Sequence, residues 1–198
     1  MEDKPMRKLT AMLLVLLMLL GCAAMAGDAE NLMALEFEHF TLAVRKDAVG
    51  TGTDTIESNV PFLVVYQDYD PNAVFGKSMN IVWNKDVLDL SAAAPRAMAE
   101  EALSYTLLQH QLVGVQPANA RVLNAEYDEM DGKKALSFIV CMDLDYSPLG
   151  LDYQGTLYTL QAVVPIEGVG TYTFTIGTDD LENSQQLFDV VDSVRWKD

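Results

Sequence analysis

Two cysteines and two histidines are the most reactive side chains in this sequence of 198 residues. A histidine can act as a general base beside a serine or cysteine nucleophile. His39 and His110 lie outside any H-E-x-x-H metal motif, and the sequence contains no G-x-S-x-G nucleophile motif. An enzyme would therefore need a site assembled in space from distant segments, and an envelope hydrolase of this kind stays an open alternative.

These side chains also have structural explanations. Cys141 lies in a predicted strand two positions before Asp143, and we expect a small, buried packing residue with an unreactive thiol. His110 falls at the end of a predicted helix, where an imidazolium would interact favourably with the negative end of the helix dipole. His39 is expected at a half-buried strand position. We assign no catalytic residue.

The other cysteine, Cys22, follows a short apolar segment. The apolar residues 11–20 would form a helix of only about 15 Å, half the thickness of a bilayer core, which favours an export signal over a membrane span. The sequence Leu19-Leu20-Gly21-Cys22 resembles a bacterial lipobox, which implies cleavage before Cys22 and diacylglycerol on its thiol. We predict a lipoprotein signal peptide at 1–21, a tether at 22–34 and one globular domain at 35–198.

The chain is strongly acidic, with 29 Asp and Glu, 13 Lys and Arg, and a formal net charge of −16. Cleavage before Cys22 would leave 27 acidic and 10 basic residues, a net charge of −17. This charge disfavours nucleic acids and anionic headgroups, which both bind clustered Lys and Arg. Membrane attachment is expected from the lipid on Cys22, and Cys141 alone cannot form an intramolecular disulfide.

Aspartate and tyrosine cluster in the segments "DYDPN" and "DYSPLGLDY". They nominate a candidate partner or ligand surface formed by Asp68, Tyr69, Asp70, Asn72, Asp145, Tyr146, Asp152 and Tyr153. The first segment begins like a calcium loop, but Ala73 and Met79 stand where an EF-hand requires glycine and glutamate. A calcium- or small-ligand-binding module that shares Asp143 or Asp145 is a second alternative, and we assign no metal site.

The sequence indicates no cofactor. Gly76-Lys77-Ser78 matches the end of a phosphate-binding loop, but Pro71 stands where the first glycine is required. A strand rather than the required helix is predicted to follow. We therefore expect neither a nucleotide nor another cofactor.

Apolar periodicity predicts strands in the first half of the chain, at 37–45, 61–69 and 79–84. The spacing then becomes helical between Pro95 and Gly114. The apolar face of this amphipathic helix is predicted to contain Met98, Ala102, Tyr105, Leu108 and Leu112.

The second half begins with a hairpin whose turn is Asp131-Gly132. In its second strand, alternation predicts that the core-facing residues are Leu136, Phe138, Val140, Met142 and Leu144. Another antiparallel pair follows, and the acidic sequence Thr178-Asp179-Asp180 is predicted to cap a final helix. The buried stripe of that helix is predicted to be Leu187, Phe188, Val191 and Val194. Helices gathered around an antiparallel sheet define an α+β fold.

This pattern resembles the PsbP-like fold, an α/β/α sandwich that occurs in a photosystem II extrinsic protein, a nuclear Ran-binding protein and bacterial envelope lipoproteins. The segments that carry the resemblance are "MNIVWN", the helix from Pro95 to Leu112, "ARVLNAEYDEMDGKKALSF", "TYTFTIG" and "LFDVVDSVRW". The resemblance implies a protein that binds partners or stabilises complexes, and it transfers no catalytic residue to this chain.

Taken together, these features favour a lipid-anchored binding or scaffolding module that acts on a protein partner without catalysis. The export signal implies a place in the cell envelope, facing outside the cytoplasm. Membrane contact would occur through the lipid on Cys22, and the second contact would be the protein partner.

Overall fold

A computed structural model describes residues 32–46, 49–51, 62–65, 78–151, 154–182 and 184–197. The strands are β1 (Leu32–Glu36), β2 (Phe40–Arg45), β3 (Val49–Thr51), β4 (Phe62–Val65), β5 (Ser78–Asn84), β6 (Ala118–Met130), β7 (Lys133–Asp145), β8 (Gln154–Ile166), β9 (Gly170–Thr178) and β10 (Arg195–Trp196). The helices are α1 (Pro95–Leu112) and α2 (Gln185–Asp192). Strand β1 begins at Leu32, inside the range expected to be a tether.

In the described part of the chain, seven strands form one antiparallel sheet in the order β3-β4-β5-β9-β8-β7-β6. The smaller sheet has the order β1-β2-β10 and is also antiparallel. The turn between β6 and β7 is the predicted Asp131-Gly132 hairpin, and both residues have positive φ, 47° and 79°. The pairing of consecutive long strands explains why local alternation predicted this region well.

One face of the large sheet packs against α1. The even positions of β7 from Leu136 to Leu144 are all buried there, as predicted, and α1 contributes Ala99 and Leu103. These two residues fix which side of α1 faces the sheet.

The predicted apolar face of α1 is wrong over most of its length. Tyr105, Leu108 and Leu112 are 64%, 51% and 77% exposed, whereas Met98 and Ala102 pack at the edge of the core. At about 100° per residue, Leu108 lies opposite Ala99 and Leu112 lies opposite Leu103. The helix therefore carries two apolar stripes, and the stripe with the larger side chains faces outward.

The opposite face of the large sheet packs against α2 and the smaller sheet. This core contains Phe40 and Leu42 from β2, Ile81 from β5, Phe174 from β9 and Leu187 from α2. The helix α2 also buries Val190, while Phe188 and Val191 are partly buried. Val194, just beyond the helix, is buried as predicted.

The predicted cap of the last helix is wrong. Thr178 ends β9, and α2 begins only at Gln185. The Thr178 hydroxyl instead accepts hydrogen bonds from the backbone N–H of Asp180 at 3.0 Å and from the Ser184 hydroxyl at 2.8 Å. These hydrogen bonds hold the residues after Thr178 in a turn. Because such side-chain bonding competes with helix formation, the helix begins later in the sequence.

Candidate functional site

Most of the predicted surface lies outside the described residues. This applies to Cys22 and to the candidate positions Asp68, Tyr69, Asp70, Asn72, Asp152 and Tyr153. Asp145 and Tyr146 are described, and they adjoin one another where β7 ends. These two residues therefore locate the part of the predicted surface that the structure describes.

Asp145 lines an open cleft of about 430 Å³ where β6 begins, β7 ends and β8 begins. The lining residues are Gln116, Ala118, Asp143, Leu144, Asp145, Gln154, Gly155 and Thr156. Alternation along β7 could have indicated Asp143 as a site residue, because Asp143 and Asp145 lie on the same face of the strand. Thr156 was not predicted, because its position opposite Asp143 depends on the register of β7 and β8.

The two carboxylates of the cleft are both held by hydrogen bonds. Asp143 accepts one from the Asn119 amide and one from the Thr156 hydroxyl, each at 2.7 Å, and these lower its pKa. Asp145 accepts one from the Ser147 backbone N–H at 2.8 Å, and hydrogen bonding to Ser147 lowers its pKa. Both groups are thus anionic at neutral pH and unsuited to act as general acids.

Tyr146, the other described member of the predicted surface, is partly buried. Its ring packs against the core beneath α1, and burial raises the pKa of its phenol. The hydroxyl therefore stays protonated at neutral pH. Tyr146 helps to hold the end of β7 against the body of the domain.

The histidines do not assemble a catalytic site in the described ranges. His39 Nε2 lies 3.8 Å from the Glu38 carboxylate, and its ring meets Tyr172 edge-on. Neither His39 nor His110 hydrogen-bonds to a described serine or cysteine. Cys141 is a free thiol that is only 1% exposed, which agrees with its expected role in packing.

Burial opposes the charged form that was expected for His110. The residue lies in the last turn of α1, but burial lowers the pKa of its imidazole. This favours the neutral ring, because burial disfavours the charged form of an imidazole.

The described residues hold no group of three or more His, Cys, Asp or Glu side chains able to bind a metal ion. The calcium alternative depends on Asp68, Asp70 and Asn72, which lie outside these residues. Among the described helices, none has the length and apolar character needed to cross a membrane.

A second surface lies beside the cleft. We define the α1 outer face as Tyr105, Leu108, Leu112 and Val113, which are all exposed. A Cβ placed on Gly114, next to Val113, would lie 3.2 Å from Leu149 Cδ2. Leu149 and Leu151 are also exposed, so apolar surface continues from the end of α1 onto the segment that follows Tyr146. Contiguous apolar surface of this kind is typical of an interaction site.

The large antiparallel sheet, covered by α1 on one face and by α2 with the small sheet on the other, defines a PsbP-like α+β fold, as predicted. The solution structure of cyanobacterial PsbP (CyanoP) from Synechocystis sp. PCC 6803 is similar to this chain, with a TM-score of 0.59 and 14% sequence identity. The match covers 84% of this chain and 93% of that chain. No family model and no curated protein matches the sequence. The structural likeness therefore establishes the fold, and it transfers no residue roles.

Proposed function

We propose that this chain is a non-catalytic binding module that is anchored by a lipid on Cys22 and docks on a protein partner in the cell envelope. The α1 outer face is the observation that carries the proposal. Its large apolar side chains lie opposite the buried stripe of the same helix, where they contribute nothing to the core. Burial of such residues against a partner is favourable by about 25 cal/mol per Å² of apolar surface.

The site chemistry supports binding rather than turnover. The cleft carboxylates hold their charge through fixed hydrogen bonds, and neither histidine hydrogen-bonds to a serine or cysteine within the described residues. The lipobox sequence and the net charge of −17 after cleavage support attachment by lipid alone.

The docking proposal can be tested by photo-cross-linking in intact membranes. A photoreactive amino acid replaces Leu108 in the full chain with Cys22 retained, and the matched control carries it at Glu167, exposed in the turn between β8 and β9. We expect a discrete protein adduct from position 108 and none from position 167. Absence of an adduct from positions 105, 108 and 112 would refute the docking role of this face.

The anchor has a separate test. Radiolabelled palmitate should enter the wild-type protein and not the Cys22→Ser variant, and the variant should leave the membrane fraction. A variant that remains bound to membranes after salt washing would contradict anchoring through Cys22.

A further inference from the structure

The outward stripe of α1 has the spacing of a helix-pairing seam. Glu101, Tyr105, Leu108 and Leu112 follow one another by four, three and four positions. This alternation places side chains along one line of a helix and is the spacing at which two helices interlock. The seam extends for about 16 Å, or three turns.

One polar side chain beside the seam, that of Ser104, is already satisfied. Ser104 donates a hydrogen bond from its hydroxyl to the carbonyl of Glu100 at 2.9 Å. A helix packed on the seam would therefore leave the Ser104 hydroxyl with its hydrogen bond, and the penalty for burying an unpaired hydroxyl does not arise at this position.

The charge on the seam indicates which kind of partner would bind there. The Arg96 guanidinium, the only basic side chain of α1 besides the neutral His110, pairs with Glu100 at 3.0 Å. Glu101 makes no ion pair with a described residue and is exposed at the start of the seam. A second copy of the cleaved chain would bring two net charges of −17 together, and anionic headgroups would also be repelled. A cationic partner is complementary.

Resting on the proposed function, we infer that the partner presents an amphipathic helix. Its apolar residues pack on Tyr105, Leu108 and Leu112, and a Lys or Arg lies opposite Glu101. The apolar contacts supply affinity, while the charge pair fixes which way the partner helix runs.

Three synthetic helical peptides test this inference against the full lipidated chain in neutral detergent micelles. The first has leucines at alternating spacings of three and four, with lysines beside the leucine stripe. The second replaces those lysines with glutamate, and the third scrambles the first. Fluorescence anisotropy should show that the lysine peptide binds at least about ten times more tightly than either control peptide.

Two variants map the site. Leu108→Ser should weaken binding of the lysine peptide by about ten-fold, whereas Met33→Ser, on the exposed small sheet across the molecule, should leave it unchanged. Glu101→Lys should reduce the preference for the lysine peptide over the glutamate peptide. Because these side chains are exposed, circular dichroism should show unchanged folds.

The result that would overturn the inference is equal binding of the lysine and scrambled peptides, or equal loss in Leu108→Ser and Met33→Ser. Self-association that Leu108→Ser abolishes would also overturn it, in favour of a second copy as occupant. If any of these three results accompanies an adduct from position 108 in membranes, the inferred partner helix is wrong and the docking role of the α1 outer face stands. Failure of that cross-link would instead remove the proposed function.

Discussion

The Asp131 carboxylate accepts a hydrogen bond at 2.8 Å from the backbone N–H of Trp196, which fastens the tip of the β6–β7 hairpin to β10. The Trp196 indole N–H also donates to the carbonyl of Met130 at 2.9 Å. Its ring meets Phe40 edge-on at 5.4 Å between centroids. Trp196, distant in sequence from the hairpin, therefore holds the hairpin turn and the small sheet together.

Replacing Asp131 should weaken this connection. Asp131→Ala removes the acceptor and places alanine at positive φ, so we expect the free energy of unfolding to fall by about 1–2 kcal/mol. Asp131→Asn keeps an amide acceptor and tolerates positive φ, and it should lose about half as much. Urea unfolding measures both. Glu129→Ala, exposed on the same hairpin, should change stability by less than about 0.5 kcal/mol. Equal losses of stability in all three variants would show that the Asp131 side chain does not stabilise the connection.

Gly170 should tolerate alanine much less well than Gly168, its neighbour in the same turn. A Cβ on Gly170, where φ is 135°, would lie 2.2 Å from the Asn84 carbonyl oxygen, whereas one on Gly168 would meet nothing within 4 Å. Because the obstacle is backbone, Gly170→Ala should cost about 3 kcal/mol or more, and Gly168→Ala only the strain of positive φ, about 1–2 kcal/mol. Chemical denaturation of both variants gives the comparison. A Gly170→Ala protein as stable as Gly168→Ala would refute the close approach.

Tyr127 should position the chain that leads into α1. Its hydroxyl lies within hydrogen-bonding reach of the carbonyl oxygens of Leu90 and Ala93. Tyr127→Phe should therefore lower the free energy of unfolding by about 1 kcal/mol, because a carbonyl in this partly buried segment loses its donor. In contrast, Tyr105→Phe removes an exposed hydroxyl and should change stability by less than about 0.5 kcal/mol. Thermal and urea unfolding of the two variants provides the comparison. Equal losses of stability in the two would contradict the role of Tyr127.

His110 should make the fold sensitive to acid. Burial lowers its pKa below the ordinary value of 6.5, so the unfolded chain takes up a proton at higher pH than the folded chain does. The contribution of His110 to the free energy of unfolding is fully present above about pH 6.5, and it decreases as the pH drops toward the pKa of the folded state. The imidazole resonances should titrate below 6.5 by NMR.

The His110→Gln variant tests the link to stability. It should lose less stability than the wild-type protein between about pH 7.5 and about pH 5, with the comparison anchored at the higher pH, where the imidazole is neutral in both states. An imidazole that titrates above 6.5 would contradict the effect of burial.

The sequence predicted most where neighbouring strands follow one another directly. The alternation from Leu136 to Leu144 gave the buried face of β7, and Asp131-Gly132 gave its hairpin, since both depend on local geometry. The face of α1 could not be predicted in the same way. Two apolar stripes compete on one helix, and the sheet surface selects the stripe with Ala99 and Leu103.

The cleft could likewise be predicted only in part from the sequence. Asp145 could be nominated from its local pattern with Tyr146. The hydrogen bond from Thr156 to Asp143 arises from strand register, which a linear pattern does not specify. The lowered pKa of Asp143 follows from that pairing and from Asn119, so the charge state of the cleft needed the three-dimensional arrangement.

The pairing of β2 with β10 affects the order in which the fold can form. Lys197 donates a hydrogen bond at 2.6 Å from its ammonium group to the carbonyl of Phe37, across 160 positions of sequence. Any machinery that delivers the polypeptide from its first residue onward, whether a ribosome or a translocation pore, presents β2 long before its second neighbour exists. During that interval Phe40 and Thr41, the residues of β2 that pair with β10, are open to other chains, and contacts this distant in sequence form slowly. The start of β2 is therefore the part of this strand that depends on the last residues of the chain for its pairing.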